Sequence, residues 1–197
     1  MDLAHADVVL VRHGETTYNA ADLLNGDPSV DVPLTDEGRA HCRALRPVLV
    51  EIEWAAFVVT PFRRTWESLE EMVPGALARA RIDPDLGDIC LGVLESQPRA
   101  AYRAWRADHG VDEAPDGGES RLAALARYAR GLRRLADETS HPALVVTHDQ
   151  PIRYLLNALA GADPILGPAR PVPNAVPYPF TAEMLAEGAR RLMASLG

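Results

Sequence analysis

Three short runs of apolar residues recur along this chain without polar residues alternating between them. They lie at residues 8–11, 55–59 and 143–146, and they consist mainly of valine, alanine and leucine. A strand that is buried on both faces of a parallel sheet has this pattern, whereas a half-exposed strand alternates between apolar and polar residues. The runs therefore predict three buried strands of a parallel sheet.

Other segments carry apolar residues at helical spacing. Residues 35–52, 122–135 and 152–159 each place them at the i, i+3, i+4 and i+7 positions that define one face of a helix. Thr35 is suited to the N-cap of the first of these helices. Strand and helix periods thus alternate along the chain, which predicts an α/β protein with helices packed on a sheet.

Basic and imidazole side chains stand directly after the predicted strands. Arg12 and His13 follow the first strand, and His148 follows the third. Arg64 lies in a helix that Pro61 is expected to open, just after the second strand. Because the carboxyl ends of parallel strands meet at one edge of the sheet, these four side chains are expected to converge. Two arginines and two histidines in one crevice predict an anion site.

The ordered motifs around these residues resemble those of the histidine phosphatase superfamily, which is phosphoglycerate mutase-like. The Arg-His-Gly-Glu-Thr opening of that family is similar to residues 12–16, with Asn19 and Gly26 at the expected places. The resemblance implies a three-layer α/β/α fold with a mostly parallel central sheet. The other segments that match the family in order are residues 31–38, 60–64, 117–120 and 145–148.

The resemblance implies that His13 is a nucleophile that carries a phosphohistidine intermediate, which water or another acceptor then cleaves. Neighbouring arginines penalise the protonated imidazole, so they lower its pKa and keep a nitrogen lone pair available. Side chains already supply positive charge, so we expect no metal and no cofactor. The residues expected to hold the phosphoryl group are Arg12, Asn19, Gly26, Arg64 and His148.

A leaving alkoxide needs a proton, which a carboxylic acid would donate. In the family this acid stands in a Leu-x-Glu-x-x-x-Gly pattern, which is similar to residues 86–92 here and makes Asp88 the candidate. Asp88 is one methylene shorter than the usual Glu. Glu95 is the alternative.

Asp149 stands where the family commonly has glycine, and three interpretations are open. Its carboxylate would keep His148 protonated, would weaken phosphate binding if it faced the pocket, or would be the N-cap of the following helix. The remaining histidines, His5, His41, His109 and His141, are expected to be surface or packing residues.

The chain shows no linker that would divide it, so residues 1–197 are predicted to form a single domain. Between residues 83 and 118 the pattern breaks into glycine, proline and charged residues, which we interpret as a cap over the pocket. The proline-rich residues 164–179 are interpreted as an ordered connection to a final helix that starts at Thr181.

Composition limits the partners. A formal net charge of −8 over 197 residues disfavours nucleic acid, whose binding depends largely on Lys and Arg. Residues 1–7 lack the features of a signal peptide, and no run reaches the roughly 20 apolar residues of a membrane span, so we expect a cytoplasmic location and no membrane partner. Cys42 and Cys90 lack disulfide or zinc-site spacing. The oligomeric state stays open, a homo-oligomer included.

Three functions fit these residues. The first is a metal-independent phosphatase that acts on a small phosphorylated metabolite. The second is a phosphoglycerate mutase-type enzyme, which returns the phosphoryl group to another hydroxyl and needs water exclusion and a second anionic contact on the substrate. The chain is short for that role, and residues 83–118 offer only the scattered Arg99, Arg103 and Arg106. The third is an inactive protein that binds a phosphorylated ligand, which retention of both arginines and both histidines disfavours. The identity of the substrate is not readable from the sequence.

Overall fold

A five-stranded sheet forms the centre of the fold. The computed structural model describes residue 3 and residues 5–138 and 142–197, so the prediction for His141 lies outside the described residues. The strand order is β3-β2-β4-β1-β5, and β5 alone runs antiparallel to its neighbour. The strands are β1 (Val8–Arg12), β2 (Ala56–Val59), β3 (Ala80–Ile82), β4 (Ala143–Thr147) and β5 (Pro177–Phe180).

Helices cover both faces of this sheet. In the described part of the chain α5, α6 and α7 pack on one face, and α2 and α3 pack on the other. The three-layer α/β/α fold with a mostly parallel sheet is therefore confirmed. The α-helices are α1 (Thr17–Ala20), α2 (Asp36–Leu49), α3 (Arg63–Met72), α4 (Arg99–Asp108), α5 (Arg121–Glu138), α6 (Asp149–Leu159) and α7 (Ala182–Ala194).

The absence of polar alternation in β1 has a direct structural reason. Val8 and Leu10 pack into the core beneath α5 to α7, whereas Val9 and Val11 pack into the core beneath α2 and α3. All four side chains are fully buried. Burial of each contributes about 1.5–3 kcal/mol, which fixes the strand that carries Arg12 and His13 at its end.

Two predicted helix starts are confirmed by their caps. The Thr35 hydroxyl accepts a hydrogen bond from the Gly38 N–H at 2.9 Å, and α2 begins at the next residue. Thr181 accepts from the Met184 N–H at 3.1 Å and caps α7. The helix α2 ends at Leu49, three residues before the predicted end.

The predicted start of the helix after β2 is wrong, because α3 begins at Arg63 and not just after Thr60. Trp66 Nε1 and the Thr65 hydroxyl both donate to the Thr60 carbonyl, at 2.6 and 3.1 Å. These side chains occupy a carbonyl oxygen that a helical N–H group would otherwise use, so the helix does not start at Thr60.

Four elements were not predicted from the pattern, namely α1, α4, β3 and β5. Helix α4 lies inside residues 83–118, which carry few apolar residues, and β3 is only three residues long. Strand β5 contains Pro177 and Pro179, which cannot donate to a ladder and so argue against a strand. The structure tolerates both prolines because β5 is an edge strand.

Within the described residues, no helix is both long and apolar enough to cross a membrane. His109 stacks on Trp105 with ring centroids 4.1 Å apart, which fits the packing role expected for it.

Candidate active site

A cavity of about 250 Å³ opens at the carboxyl ends of β1 and β4. Residues from the sheet edge form its floor, and residues of the predicted cap segment, such as Ile89 and Tyr102, contribute to its walls. The structure brings five of the seven predicted site residues to this cavity, whereas Gly26 and His148 do not line it. The five that line it are Arg12, His13, Asn19, Arg64 and Asp88.

The imidazole of His13 is fixed in one tautomer. Its Nδ1 lies 2.7 Å from the Gly14 carbonyl, which can only accept, so Nδ1 carries the proton and Nε2 keeps its lone pair. The ring is 3 % exposed, and its pKa lies well below the ordinary value because of burial first and then Arg64 and Arg12. His13 is therefore a neutral imidazole at neutral pH.

Arg64 is the most densely bonded cation of the site. Its guanidinium donates to the side-chain and main-chain oxygens of Asn25 and, through Nη2, to Asp88 Oδ2 at 3.1 Å. It also stacks on Phe62, 4.2 Å from the ring centroid. Its pKa is lowered to about 10 by burial, which still leaves the guanidinium charged at neutral pH. By contrast, Arg63 points to the surface and pairs with Asp31 and Glu67.

His148 lies beside His13, with ring centroids 5.3 Å apart, but it is fully buried behind Arg64. Arg64 Nη2 donates to Nδ1 at 3.1 Å, so Nε2 carries the proton and donates to the Thr60 hydroxyl at 2.8 Å. Both ring nitrogens are thus bonded within the protein. The ring thus orients Arg64, and the contact of His148 with phosphoryl oxygens stays a prediction.

Arg12 and Asn19 each present an unused donor. Arg12 donates to the Val172 carbonyl at 2.7 Å, and its buried Nε has no hydrogen-bond partner among the described residues. Asn19 Oδ1 accepts from the Thr16 N–H at 3.2 Å and so completes the capping box of α1. This bond leaves the amide nitrogen of Asn19 for a ligand in the cavity.

Asp88 and Glu95 occupy different surroundings. Asp88 lines the cavity with its side chain 23 % exposed, and its carbonyl accepts from Arg127 of α5. Glu95 lies outside the lining, and its two oxygens accept from the N–H groups of Gly26 and Leu91, both at 2.8 Å. The geometry favours Asp88 as the acid, since both carboxylate oxygens of Glu95 are already bonded to backbone N–H groups outside the cavity.

The backbone at Gly26 is closely packed. Its N–H is donated to Glu95, and a Cβ at this position would lie 1.7 Å from the Ile89 carbonyl oxygen. Glycine is therefore required by the close approach of two backbone segments, and its contact with phosphate stays a prediction.

Asp149 does not fit two of the interpretations that the sequence left open. His148 is the N-cap of α6 and Asp149 is the first helical residue, so Asp149 is not the cap. Burial first and then Arg64 lower the pKa of His148 well below its ordinary value, so Asp149 does not keep that ring protonated. The carboxylate instead pairs with Arg153 at 3.3 Å and lines the cavity, and its buried Oδ1 has no hydrogen-bond partner within the described part of the chain.

Four residues that position the site were missed from the sequence. Ser68 accepts from the Gly14 N–H at 2.8 Å, and Asn174 donates to the His13 carbonyl at 2.8 Å. Asn25 binds Arg64, and Thr60 binds His148. Thr60 and Asn25 lie within or beside the matched motifs, but nothing local marks Asn174, which acts across 161 residues. Among the described residues, no group of three or more His, Cys, Asp and Glu side chains is placed to hold a metal.

Comparison with known proteins identifies the family. Residues 8–180 match the model of the histidine phosphatase superfamily (branch 1). The chain is 28 % identical over 169 residues to glucosyl-3-phosphoglycerate phosphatase of Mycobacterium tuberculosis, covering 77 % of this chain and 74 % of that protein. It is also 28 % identical over 167 residues to phosphoglycerate mutase-like protein 4 of Arabidopsis thaliana, covering 78 % and 71 %.

Solved structures agree with this assignment. YhfR of Bacillus stearothermophilus aligns with a TM-score of 0.74 at 26 % identity, covering 86 % of this chain and 88 % of that one. A mycobacterial glucosyl-3-phosphoglycerate phosphatase, solved as a complex with VO3, aligns with a TM-score of 0.63 at 28 % identity, covering 77 % and 80 %.

Proposed function

This chain belongs to branch 1 of the histidine phosphatase superfamily, and we propose that it hydrolyses a phosphate monoester of a small metabolite through a phosphohistidine on His13. The observation that carries the proposal is the fixed tautomer of His13, whose Nε2 lone pair is available at neutral pH. A neutral, buried imidazole between two guanidinium groups is arranged to attack a phosphorus atom whose oxygens those groups hold.

In the first step His13 Nε2 forms a bond to phosphorus and the bond from phosphorus to the leaving oxygen breaks. Arg12 and Arg64 hold the phosphoryl oxygens, because guanidinium groups match their geometry in bidentate fashion. Asn19 supplies a further donor.

Asp88 gives the leaving oxygen its proton in that step. In the second step water attacks phosphorus, Asp88 takes the proton from the water, and the bond to His13 Nε2 breaks. Inorganic phosphate leaves with both groups restored.

We propose that no divalent metal takes part, since Arg12 and Arg64 supply the positive charge that a metal would otherwise bring. Activity should therefore persist in excess chelator, and vanadate should inhibit it by imitating the trigonal phosphoryl group. Loss of activity in chelator that magnesium or zinc restores would contradict this part of the proposal.

The decisive experiment is a comparison of wild type with His13→Ala, using release of phosphate from p-nitrophenyl phosphate and from a panel of phosphorylated sugars, glycerates, amino acids and nucleotides. Wild type should release phosphate and retain acid-labile, alkali-stable label after brief incubation with labelled substrate, and His13→Ala should do neither. Full activity in a folded His13→Ala variant would overturn the mechanism. A mutase would instead move the label to a second hydroxyl of the substrate.

A further inference from the structure

The first turn of α6 places in the cavity two polar side chains to which the proposed mechanism gives no role. They are Asp149 and Gln150, which follow His148 directly. A carboxylate only accepts hydrogen bonds, whereas an amide donates through its nitrogen and accepts through its oxygen. The two neighbouring residues therefore offer a ligand one acceptor and one donor.

The Asp149 carboxylate has unused acceptor capacity. It offers about four lone-pair sites, and its one side-chain partner in the described part of the chain is Arg153, whose Nη1 lies 3.3 Å from Oδ2. An Asp–Arg pair four residues apart on a helix contributes little to stability. Helix stability therefore does not explain a carboxylate with a buried, unbonded Oδ1 at this place, since buried polar atoms are normally bonded.

Gln150 has an unused donor. Its Oε1 lies 3.5 Å from the hydroxyl of Tyr128, a fully buried residue of α5 that donates to it. This contact orients the amide, and Nε2 makes no hydrogen bond with any residue that the structure describes. The amide nitrogen is therefore available to a ligand in the cavity.

Charge limits the kind of group that binds beside Asp149. Burial lowers the pKa of Arg12, and the negative charge that opposes this most strongly is Asp149, so the two side chains lie close together. An anion at this place would be repelled by the carboxylate, and a cation would be repelled by the six arginines that line the cavity. A neutral hydroxyl group meets neither penalty, and it both donates to a carboxylate and accepts from an amide.

We propose that the substrate is a phosphorylated polyol or sugar, and that one of its hydroxyl groups donates to the Asp149 carboxylate and accepts from Gln150 Nε2. The proposal rests on the phosphatase function and names the substrate class of the same site. Because Asp149 lies beside Arg12, which holds a phosphoryl oxygen, this hydroxyl is on a carbon close to the phosphate ester. A glycine at position 149 would supply no such acceptor, so the preference is a property of this chain.

The test uses four substrates of equal charge that differ only in their hydroxyl groups: propyl phosphate, 2-hydroxypropyl phosphate, 3-hydroxypropyl phosphate and glycerol 3-phosphate. A hydrogen bond to a carboxylate corresponds to a preference in kcat/KM of about tenfold to a hundredfold for the best hydroxylated substrate over propyl phosphate. A hydroxyl changes the reactivity of the leaving group equally in every variant, so a difference in this ratio between variants reports the contact.

Asp149→Ala should remove most of the preference. Asp149→Asn, which keeps the shape and an acceptor but loses the charge, should remove part of it. Gln150→Met should reduce it about twofold to tenfold, because a bond between neutral groups is weaker. Asp137→Ala is the matched control, since Asp137 forms an i,i+4 pair with Arg133 on the exposed surface of α5, outside the cavity. Thermal unfolding of each variant shows that it is folded at the assay temperature.

Several results would overturn the hydroxyl contact. Equal kcat/KM for all four substrates in wild type is one, and a preference that survives Asp149→Ala as fully as Asp137→Ala is another. A loss of the same size for every substrate, p-nitrophenyl phosphate included, would place Asp149 on the phosphoryl group instead. A loss that follows the pKa of the leaving group and not its hydroxyl groups would make Asp149 a proton donor.

The proposed function and the substrate class fail separately. The function fails only if p-nitrophenyl phosphate is not hydrolysed or if its hydrolysis survives His13→Ala. Hydrolysis of p-nitrophenyl phosphate without hydrolysis of any of the four alkyl phosphates would overturn the substrate class alone. A larger gain from the 2-hydroxyl or from the 3-hydroxyl identifies the carbon whose hydroxyl Asp149 binds.

Discussion

Replacing Arg64 by Gln should be far more damaging than replacing its neighbour Arg63. Arg64 is 3 % exposed and donates to Asn25, Asp88 and His148, so its guanidinium is held in place before any substrate binds. Removal of one preorganised contact to developing charge costs about 2.7–4 kcal/mol, which corresponds to roughly a hundredfold to a thousandfold in kcat. The lost bond partners should also lower the free energy of unfolding by about 1–3 kcal/mol.

Arg63→Gln removes only exposed pairs with Asp31 and Glu67, whose contribution to stability is about 0–1 kcal/mol. We therefore expect little change in kcat. Arg64→Lys separates charge from shape, since lysine keeps the cation but loses the planar fork, and it should recover only part of the loss.

The assay is steady-state hydrolysis of p-nitrophenyl phosphate, with thermal unfolding of each variant measured in parallel. Rates are compared well below the lowest unfolding midpoint, so that a partly unfolded variant is not mistaken for an inactive one. Equal losses in the two glutamine variants, or a larger loss for Arg63→Gln, would show that the register of α3 against the cavity is misjudged.

Three further predictions concern the acid, its support and the buried histidines. Asp88→Asn should slow alkyl phosphates much more than p-nitrophenyl phosphate in the phosphorylation step, because nitrophenolate leaves without a proton, and the same pattern in Glu95→Gln would reassign the acid. Arg127 donates to the carbonyl oxygens of residues 84, 85, 87 and 88 and so supports the segment that carries Asp88. Arg127→Gln should therefore make the hydrolysis rate depend more strongly on the pKa of the leaving group. A uniform loss of rate for all substrates would contradict this positioning role. Folding lowers the pKa values of His13 and His148, so below about pH 6.5 the unfolded chain binds more protons than the folded chain. The free energy of unfolding should therefore fall with decreasing pH, by up to about 1.4 kcal/mol per histidine per pH unit. A slope unchanged by His148→Gln in chemical unfolding would refute that account.

The sequence predicts the nucleophile and the principal cations because each stands within a few residues of a strand end. Arg12 and His13 continue β1 itself, and the strand direction alone brings them to the cavity. Arg64 lies in the first turn of α3, directly after β2. The position of each of these residues relative to a strand end is thus sufficient to predict that it reaches the cavity.

Residues that act across the fold could not be predicted in this way. Asn174 reaches His13 from a proline-rich segment, and no local spacing marks it. Thr60 lies in a matched motif, but its contact with His148 spans 88 residues and the motif does not predict it. The hydrogen bonds of His148 to Arg64 and Thr60 were also missed, because nearness to a strand end does not determine which groups the ring nitrogens bond. Helix α4 escaped prediction because its face toward the cavity carries arginines where a core-facing helix would carry apolar residues.

The segment just before β5 has a consequence for the order in which the enzyme matures during synthesis. Val172 accepts from the Arg12 side chain, Asn174 donates to the His13 carbonyl, and the Ala175 N–H donates to the Arg12 carbonyl. Arg12 and His13 leave the ribosome before the rest of the site, and the residues that bond to them emerge some 160 positions later. A nascent chain that has not reached residue 175 lacks these bonds, and phosphatase activity is expected to arise only after residues 172–175 have left the ribosome.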